Sequence, residues 1–300
     1  MAAPSPLSAA PTGLGNTEMQ DRMVSSTCEE TVKKKPLMSP SSVKMPSVVN
    51  TLNSSSSSTP NVRLLTLQDV SKAALTLCEA FQNDTLSIYL TKHISSQEER
   101  THINKVMYEC YLRQHIDKGL CVGVGETQTG FETVAVWSAP KSYDIGLETF
   151  QDYMEAGFDR YWHLIGPEGR DKVFKGLLPL LDTVSHRILT TDPRFHDKGL
   201  YTLVYLGSLE CARGKGNVRA MFDFMFENYI DVPGTNNIAY LESSAPSNIG
   251  IYNRFGFHAY EKIVLGDNKR PDAKEGVDYA LMNVMIRDCR GADWREKVAV

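Results

Sequence analysis

The chain has 300 residues, of which 42% are hydrophobic and 23% are charged, and its formal net charge is −4 at neutral pH. These values predict a globular protein of one or two domains and argue against a surface for nucleic acid or anionic membranes. The six cysteines lack the spacing of metal ligands, and no apolar run approaches the roughly 20 residues of a membrane span. We therefore expect a soluble, cytoplasmic protein without a metal site.

Residues 1–60 differ in composition from the rest of the chain. They are rich in serine, proline, alanine and threonine and end in the serine run 54–58. Such a segment buries too little apolar surface to offset its chain entropy, which predicts a disordered tail. We expect a folded domain from residue 61 to about residue 290, followed by a short C-terminal tail, 291–300.

In the first half of this domain, the spacing of apolar residues predicts a strand, two amphipathic helices and a hairpin. The predicted elements are a strand at 62–67, a helix with apolar positions from Ala73 to Phe81, a helix at 97–116, and strands at 120–126 and 133–138 joined across Thr129 and Gly130.

A long and largely helical insertion, about residues 140–195, interrupts this pattern. Its predicted helices lie at 146–164 and 170–188. Insertions of this size often shape a binding face, and simple packing against the domain is an equally good alternative. Six of its aromatic residues are candidates to line a closed pocket for a small substrate: Tyr143, Phe150, Tyr153, Phe158, Tyr161 and Trp162.

The alternation of strands and helices resumes after the insertion and favours the α/β class. The predicted elements are a strand at 201–209, a glycine-rich loop at 213–218, a helix containing the apolar run 220–226, a strand at 238–243, a short helix at 247–255, and strands at 258–265 and 279–286.

The glycine-rich loop has the composition of an anion site. It consists of Arg213, Gly214, Lys215, Gly216, Asn217 and Val218 and opens directly into a helix. Glycines let the backbone approach a bulky anion, and the first N–H groups of a helix attract negative charge. The loop lacks the Gly-Lys-Ser/Thr of a P-loop and the third glycine of a dinucleotide fingerprint. Such loops are common, so by itself this one is a weak indication of pyrophosphate binding.

Gly207 interrupts the strand that precedes the loop. Glycine within a strand often marks a bulge, so we expect this strand to separate from its neighbour there. The backbone N–H groups of Leu206, Gly207 or Ser208 would then be free to hold an acyl carbonyl oxygen and stabilise an oxyanion. A structural bulge without a ligand is an equally good alternative.

The loop and the residues after it resemble the GCN5-related N-acetyltransferase superfamily, whose acetyl-CoA loop has the pattern Gln/Arg-x-x-Gly-x-Gly/Ala. Arg213 and Gly216 fill the first and fourth positions of this pattern. The segments 241–248 and 252–257 resemble the second strand-and-helix motif of the superfamily. The resemblance extends over about residues 62–287 and is greatest to puromycin N-acetyltransferase-like members, in which a long insertion occupies a similar place.

This resemblance implies a fold in which a central mixed and mostly antiparallel sheet splits after its fourth strand, is flanked by helices and carries the helical insertion. It also implies acetyl-CoA as acetyl donor and an amine as acceptor. Val218 departs from the pattern, because a small residue is usual at the sixth position of the loop. We expect its β-branched side chain to crowd the helix start, so that either the loop shifts or cofactor binding is weakened.

The resemblance also assigns roles to single residues. Tyr252 matches the general acid that protonates the CoA thiolate as it leaves. Asn248 matches the asparagine that hydrogen-bonds the pantetheine arm or the backbone beside it. The implied acetyl-CoA site therefore comprises Leu206, Gly207, Ser208, the loop residues 213–218 and Asn248.

The general base is less clearly marked in the sequence. Glu242 is the first candidate, acting through a water molecule, and Tyr205 is the second. Alternation along the strand places Glu242 on the opposite face from Leu241 and Ser243, so a structural role for Glu242 at the cleft stays open.

The expected function is acetyl transfer from acetyl-CoA to an amine by direct attack in a ternary complex, on a small-molecule acceptor. A covalent route through Cys211 is disfavoured, because no histidine partner is apparent. Two alternatives remain: a non-catalytic CoA-binding module with the same fold, and an N-acetyltransferase for proteins or peptides.

Overall fold

A seven-stranded sheet forms the centre of the computed structural model, which describes residues 60–142 and 144–296. Its strands are β1 (Val62–Leu64), β2 (Leu120–Glu126), β3 (Phe131–Ser138), β4 (Gly199–Ser208), β5 (Asn237–Ser243), β6 (His258–Gly266) and β7 (Tyr279–Arg287). They lie in the order β1-β2-β3-β4-β5-β7-β6, and every neighbouring pair is antiparallel except β4 and β5. The predicted mixed and mostly antiparallel sheet is confirmed.

Both faces of the sheet are covered, and residues along a strand alternate between the two resulting cores. In β5, Ile238 and Tyr240 pack into one core, whereas Ala239 and Leu241 pack into the other. This period of two residues is that of a strand buried on both faces. Glu242 therefore projects to the same face as Tyr240, as the sequence predicts.

The larger core lies beneath the helices α1 (Val70–Phe81) and α3 (Gln97–Lys118). Ala73, Ala74 and Leu77 form a fully buried stripe on α1. Their spacing of one and three residues keeps them on one side of the helix, which is the reason that the sequence predicts this element correctly.

A further helix, α2 (Thr85–Thr91), lies between α1 and α3 in the chain, and the sequence pattern does not predict it. Asp84 caps this helix by accepting a hydrogen bond from the backbone N–H of Ser87 at 3.0 Å. Tyr89 and Leu90 are buried in the larger core. Seven residues are too few for a stable isolated helix, so the cap and this packing stabilise it.

The insertion is helical, as predicted, and packs into the same core. It contains α4 (Phe150–Tyr153), α5 (Asp159–Leu164), α6 (Gly166–Arg170) and α7 (Leu178–Thr191), with π-helical turns at Met154–Phe158 and Asp171–Leu177.

None of the helices within residues 60–142 and 144–296 combines the length and the apolar character that a membrane span requires.

The smaller core lies on the other face, beneath α8 (Asn217–Met225) and α9 (Ile249–Asn253). Met221, Phe222 and Met225 of α8 are fully buried there. A π-helical turn, Phe226–Ile230, continues α8, and a 3₁₀ turn, Pro246–Asn248, precedes α9. These helices place the glycine-rich loop and the region of Tyr252 on the same face of the sheet.

The sheet opens between β4 and β5. Their parallel pairing ends at Leu203 and Leu241, although β4 continues to Ser208. The register between β3 and β4 shifts at the same point, because Val136 pairs with Tyr205 while the next residue of β3 pairs with Leu203. The extra residue is Val204, so a bulge bends β4 away from β5 at this position.

Gly207 has a different role from the predicted one, because the bulge lies three residues before it. A Cβ atom at Gly207 would lie 2.8 Å from Leu77 Cδ2 and 3.1 Å from Ala80 Cβ. The glycine therefore allows α1 to pack closely on β4, and the prediction that it marks the point of separation was wrong.

The domain boundaries also differ from the prediction at the C-terminal end. Trp294 is buried in the larger core and donates a hydrogen bond from Nε1 to the carbonyl oxygen of Ile286 at 2.9 Å. Residues 291–296 therefore belong to the folded domain and not to a tail. The predicted disordered segment 1–60 lies outside the described residues, except for Pro60.

Candidate active site

The glycine-rich loop places an open backbone surface at the start of α8. Gly214 and Gly216 have φ angles of 78° and 82°, which favour glycine. No described atom lies within 4 Å of an added Cβ at either position, and no side chain caps α8. The first N–H groups of the helix are therefore available to an anion.

Two side chains of the loop, those of Lys215 and Asn217, are turned toward Glu132 of β3. This carboxylate accepts hydrogen bonds from Lys215 Nζ and, at 2.9 Å, from Asn217 Nδ2. The hydrogen bond from Lys215 is the main reason that the pKa of Glu132 lies below its ordinary value. Glu132 thus orders the loop and offsets the charge of Lys215, a role that the sequence analysis did not assign.

Arg213 and Val218 occupy contrasting positions. Arg213 is exposed and lies 3.3 Å from Glu210, so its guanidinium remains accessible to a ligand in solvent. Val218 is half-buried and packs against the smaller core. This contact accounts for the valine and argues against the expected crowding at the helix start.

A cleft of about 720 Å³, including its open mouth, occupies the gap between β4 and β5. It is lined by the ends of both strands and by α1, α2, α3 and α9. The sequence-predicted residues Tyr205, Leu206, Glu242, Asn248 and Tyr252 all line it. The structure therefore brings together residues that lie up to 47 positions apart in the sequence.

The backbone N–H groups of β4 divide between the cleft and the neighbouring strand. Leu209 N–H donates to the carbonyl oxygen of Glu132 in β3 at 2.9 Å. Since successive N–H groups point to opposite edges, Gly207 N–H also faces β3, whereas Leu206 and Ser208 N–H face the gap. Leu206 and Ser208 are thus the available donors of the three predicted, and Gly207 is not.

Tyr252 of α9 is 7% exposed, and its ring packs against Phe222 and Phe257 in edge-on contacts. Its hydroxyl has no hydrogen-bond partner among the described residues, although the side chain lines the cleft. Burial, followed by the nearby charge of Asp84, raises the pKa of Tyr252 above its ordinary value. The phenol therefore stays protonated at neutral pH and is able to donate a proton into the cleft.

Glu242 lines the cleft from the opposite face of the sheet. Burial raises the pKa of Glu242 to about 7, so the carboxylate and the carboxylic acid are both populated near neutral pH. This is the range suited to a general base. Burial raises the pKa of Tyr205 well above its ordinary value. Tyr205, the second candidate for the base, is therefore protonated at neutral pH and cannot accept a proton there.

Asp84 is a further cleft residue, which the sequence analysis missed. Its Oδ2 accepts a hydrogen bond from the hydroxyl of Ser244, 160 residues later in the chain. No local motif marks this contact, because it joins the end of α1 to the end of β5. The capping pattern before α2 was the only available signal in the sequence.

Those predicted aromatic residues of the insertion that the structure describes do not line the cleft. Phe150, Trp162 and Phe174 contact one another, and Phe158 contacts Tyr111 of α3 with ring centroids 4.9 Å apart. The insertion contributes Leu177 to the cleft. The alternative of simple packing therefore accounts for these aromatic residues, while Tyr143 lies outside the described residues.

The chain is 30% identical over 204 residues to an uncharacterised N-acetyltransferase of Schizosaccharomyces pombe, which is 68% of this chain and 76% of that protein. No family model matches the chain.

Two solved structures are also similar in part. A protein of Corynebacterium glutamicum described as histone acetyltransferase HPA2 and related acetyltransferase is 18% identical, with 77% of this chain and 96% of that chain covered and a TM-score of 0.48. A polyamine N-acetyltransferase of Drosophila melanogaster is 11% identical, with coverage of 77% and 100% and a TM-score of 0.48. From its relative in Schizosaccharomyces pombe and from its split sheet, the chain belongs to the GCN5-related N-acetyltransferase superfamily and is an N-acetyltransferase.

Proposed function

We propose that this protein transfers the acetyl group of acetyl-CoA to the amine of a small molecule by direct attack in a ternary complex. The observation that carries the proposal is the pairing of two groups across one cleft. Tyr252 offers an unpartnered hydroxyl from one face of the sheet, and Glu242 offers a carboxylate from the other. A proton donor and a proton acceptor are the two groups that amine acetylation requires.

Acetyl-CoA would be held by backbone at its two ends. The first N–H groups of α8, with Gly214 and Gly216 beside them, suit the pyrophosphate. Leu206 and Ser208 N–H suit the acyl carbonyl and the pantetheine arm, since both face the gap that β4 leaves. Asn248 lines the cleft and is positioned to contact the arm. When bound, acetyl-CoA supplies the thioester that makes the acetyl group transferable.

Glu242 and Tyr252 then act as the proton acceptor and the proton donor of the reaction. Glu242 removes a proton from the acceptor, directly or through a water molecule, so that the amine nitrogen carries a free electron pair. The nitrogen–carbon bond forms, the carbon–sulfur bond breaks, and the hydroxyl of Tyr252 supplies the proton that the departing sulfur needs. The nitrogen then releases its second proton to the Tyr252 phenolate, directly or through water, which leaves a neutral amide and restores the phenol. Leu206 and Ser208 N–H stabilise negative charge on the acyl oxygen while this occurs.

The size of the cleft supports a small acceptor. The gap between β4 and β5, about 720 Å³ with its open mouth, must hold the acetylated end of pantetheine as well as the acceptor. Little of this space remains for a folded protein substrate.

Calorimetry followed by a thiol-release assay tests the proposal. We expect the full-length protein to bind acetyl-CoA and to release CoA when a panel of primary amines is added, with initial-rate plots that intersect. Parallel plots would indicate a covalent intermediate. Binding without release would favour the CoA-binding module, and absence of binding would overturn both functions.

A further inference from the structure

The cleft contains two carboxylates and no positively charged side chain. Asp84 and Glu242 line it, whereas no lysine, arginine or histidine of the described residues does. Asp84 forms no ion pair with any described residue. A negative charge enclosed without a counter-ion attracts a cationic ligand, because the surrounding protein screens it less than water does.

The hydrogen bonds of Asp84 hold its carboxylate in place without neutralising it. Oδ1 accepts from the backbone N–H of Ser87 at 3.0 Å, and Oδ2 accepts from the hydroxyl of Ser244. Both donors are uncharged, and each carboxylate oxygen retains a second acceptor position. Asp84 is therefore a fixed anionic acceptor at the junction of α1, α2 and the end of β5.

The hydroxyl of Tyr252 is an independent indication that a ligand binds near Asp84. Tyr252 is 7% exposed, lines the same cleft and has a hydroxyl without a partner among the described residues. The charge of Asp84 is close enough to contribute, after burial, to the raised pKa of Tyr252. A ligand at the reacting hydroxyl of Tyr252 thus lies within the field of Asp84.

We propose that the acceptor is a small amine with a second positively charged group, and that Asp84 binds this second group while the first amine reacts. The inference rests on the proposed acetyl transfer. Glu242 takes the proton of the reacting nitrogen, so Asp84 is the carboxylate that remains to hold a permanent cation. Aliphatic diamines and amines with a guanidinium group have this chemistry.

A neighbouring pocket, about 380 Å³ with its open mouth, would favour an acceptor of the opposite charge. It contains Arg100, and it shares Ser87 and Asn104 with the cleft but not Asp84. Arg100 forms no ion pair within the described part of the chain. If the acceptor extended into that pocket, a carboxylate on the acceptor would be favoured instead of a cation.

Three acceptors of matched length separate these cases: 1,5-diaminopentane, pentylamine and 5-aminopentanoate. We expect kcat/KM of the wild-type protein for the diamine to exceed that for pentylamine by about 10- to 100-fold, the range of a charge-assisted hydrogen bond. The carboxylate should be the poorest acceptor. Added salt should raise KM for the diamine more than KM for pentylamine, because the diamine carries one more positive charge.

Asp84→Asn tests the residue itself, because asparagine retains the oxygen that caps α2. We expect the variant to lose the preference for the diamine through a higher KM, so that the ratio of kcat/KM for the diamine to kcat/KM for pentylamine falls toward one. The control is Asp117→Asn, which removes an exposed carboxylate near the end of α3, outside the cleft. It should retain the preference for the diamine.

The outcomes distinguish this inference from the proposed function. Equal kcat/KM for the diamine and pentylamine would overturn the role of Asp84 and leave acetyl transfer intact. Preference for 5-aminopentanoate would overturn it in favour of the pocket of Arg100. Absence of acetylation of all three, despite acetyl-CoA binding, would count against the proposed function.

Discussion

The glycine-rich loop and the cleft are both reached from the end of β4, yet they are built in opposite ways. The loop is one contiguous segment, 213–218, exposed over 213–216, and its functional surface is backbone. The cleft is partly enclosed and combines side chains from β4, β5 and four helices. The loop therefore depends on local conformation, whereas the cleft depends on contacts between distant parts of the chain.

This difference separates two kinds of effect. Changes in the loop should act on acetyl-CoA affinity, because they alter the backbone that meets the pyrophosphate. Changes to Glu242 and Tyr252 in the cleft should act on turnover, because these two groups move protons. A loop variant that lowered only turnover, or a variant of Glu242 or Tyr252 that weakened only acetyl-CoA binding, would show that the two regions do not have separate roles.

Tyr252→Phe should have the largest effect. We expect kcat to fall by about 10²- to 10⁴-fold with acetyl-CoA affinity nearly unchanged, since the substitution removes a proton donor and retains the ring that packs on Phe222 and Phe257. Steady-state kinetics and calorimetry measure the two quantities. Tyr229→Phe on the surface of the same core is the control, and unchanged kcat in Tyr252→Phe would refute the assigned role.

Glu242→Gln should lower kcat by about 10²-fold and change its pH dependence. The folded pKa of Glu242 is about 7, so the deprotonated base is lost, and kcat of the wild type declines, as pH falls below 7. The variant should lack this limb of the pH profile. Glu227→Gln, at an exposed position after α8, should keep the wild-type profile. A limb that persisted in Glu242→Gln would assign the base to another group.

Gly216→Ala should weaken acetyl-CoA binding by about tenfold and leave kcat at saturation unchanged. The new methyl group meets no described atom but occupies the side from which an anion approaches, and a left-handed backbone adds about 1–2 kcal/mol of strain. Gly234→Ala is a matched control, because Gly234 has φ of 83° and equally open surroundings. Equal loss of affinity in both variants would attribute the effect to strain alone.

Val218→Ala should have the smallest effect. The valine packs against the smaller core, so we expect a loss of about 1 kcal/mol in the free energy of unfolding and acetyl-CoA affinity within twofold of wild type. Denaturant titration and calorimetry measure these changes. Markedly tighter binding would restore the original expectation that valine crowds the pyrophosphate.

The sequence predicts most elements of the fold because their signals are local. The bounds of β2 agree with the prediction, and β5 and β7 differ by one residue. The seven residues of α2 and the buried Trp294 were missed, since neither lies in a long periodic segment. Gly207 was misinterpreted because its neighbour, α1, is distant in the sequence.

The candidate site was predicted to the extent that its residues lie in contiguous motifs. Tyr252, Asn248 and Glu242 follow one another within eleven positions and line one cleft. Glu132 and Asp84 escaped detection, because their partners Lys215 and Ser244 are 83 and 160 residues away.

By itself the sequence determined which segments form strands, helices and the glycine-rich loop, since periodicity and glycine conformation act between neighbouring residues. Only the tertiary structure decided that β4 bends away at Val204 and which N–H groups face the gap. It also decided that Asp84 and Glu242 line the gap while no lysine, arginine or histidine of residues 60–142 and 144–296 does. The reason is physical: the charge and hydrogen-bonding of a cleft depend on which distant surfaces meet, and a linear pattern does not contain that information.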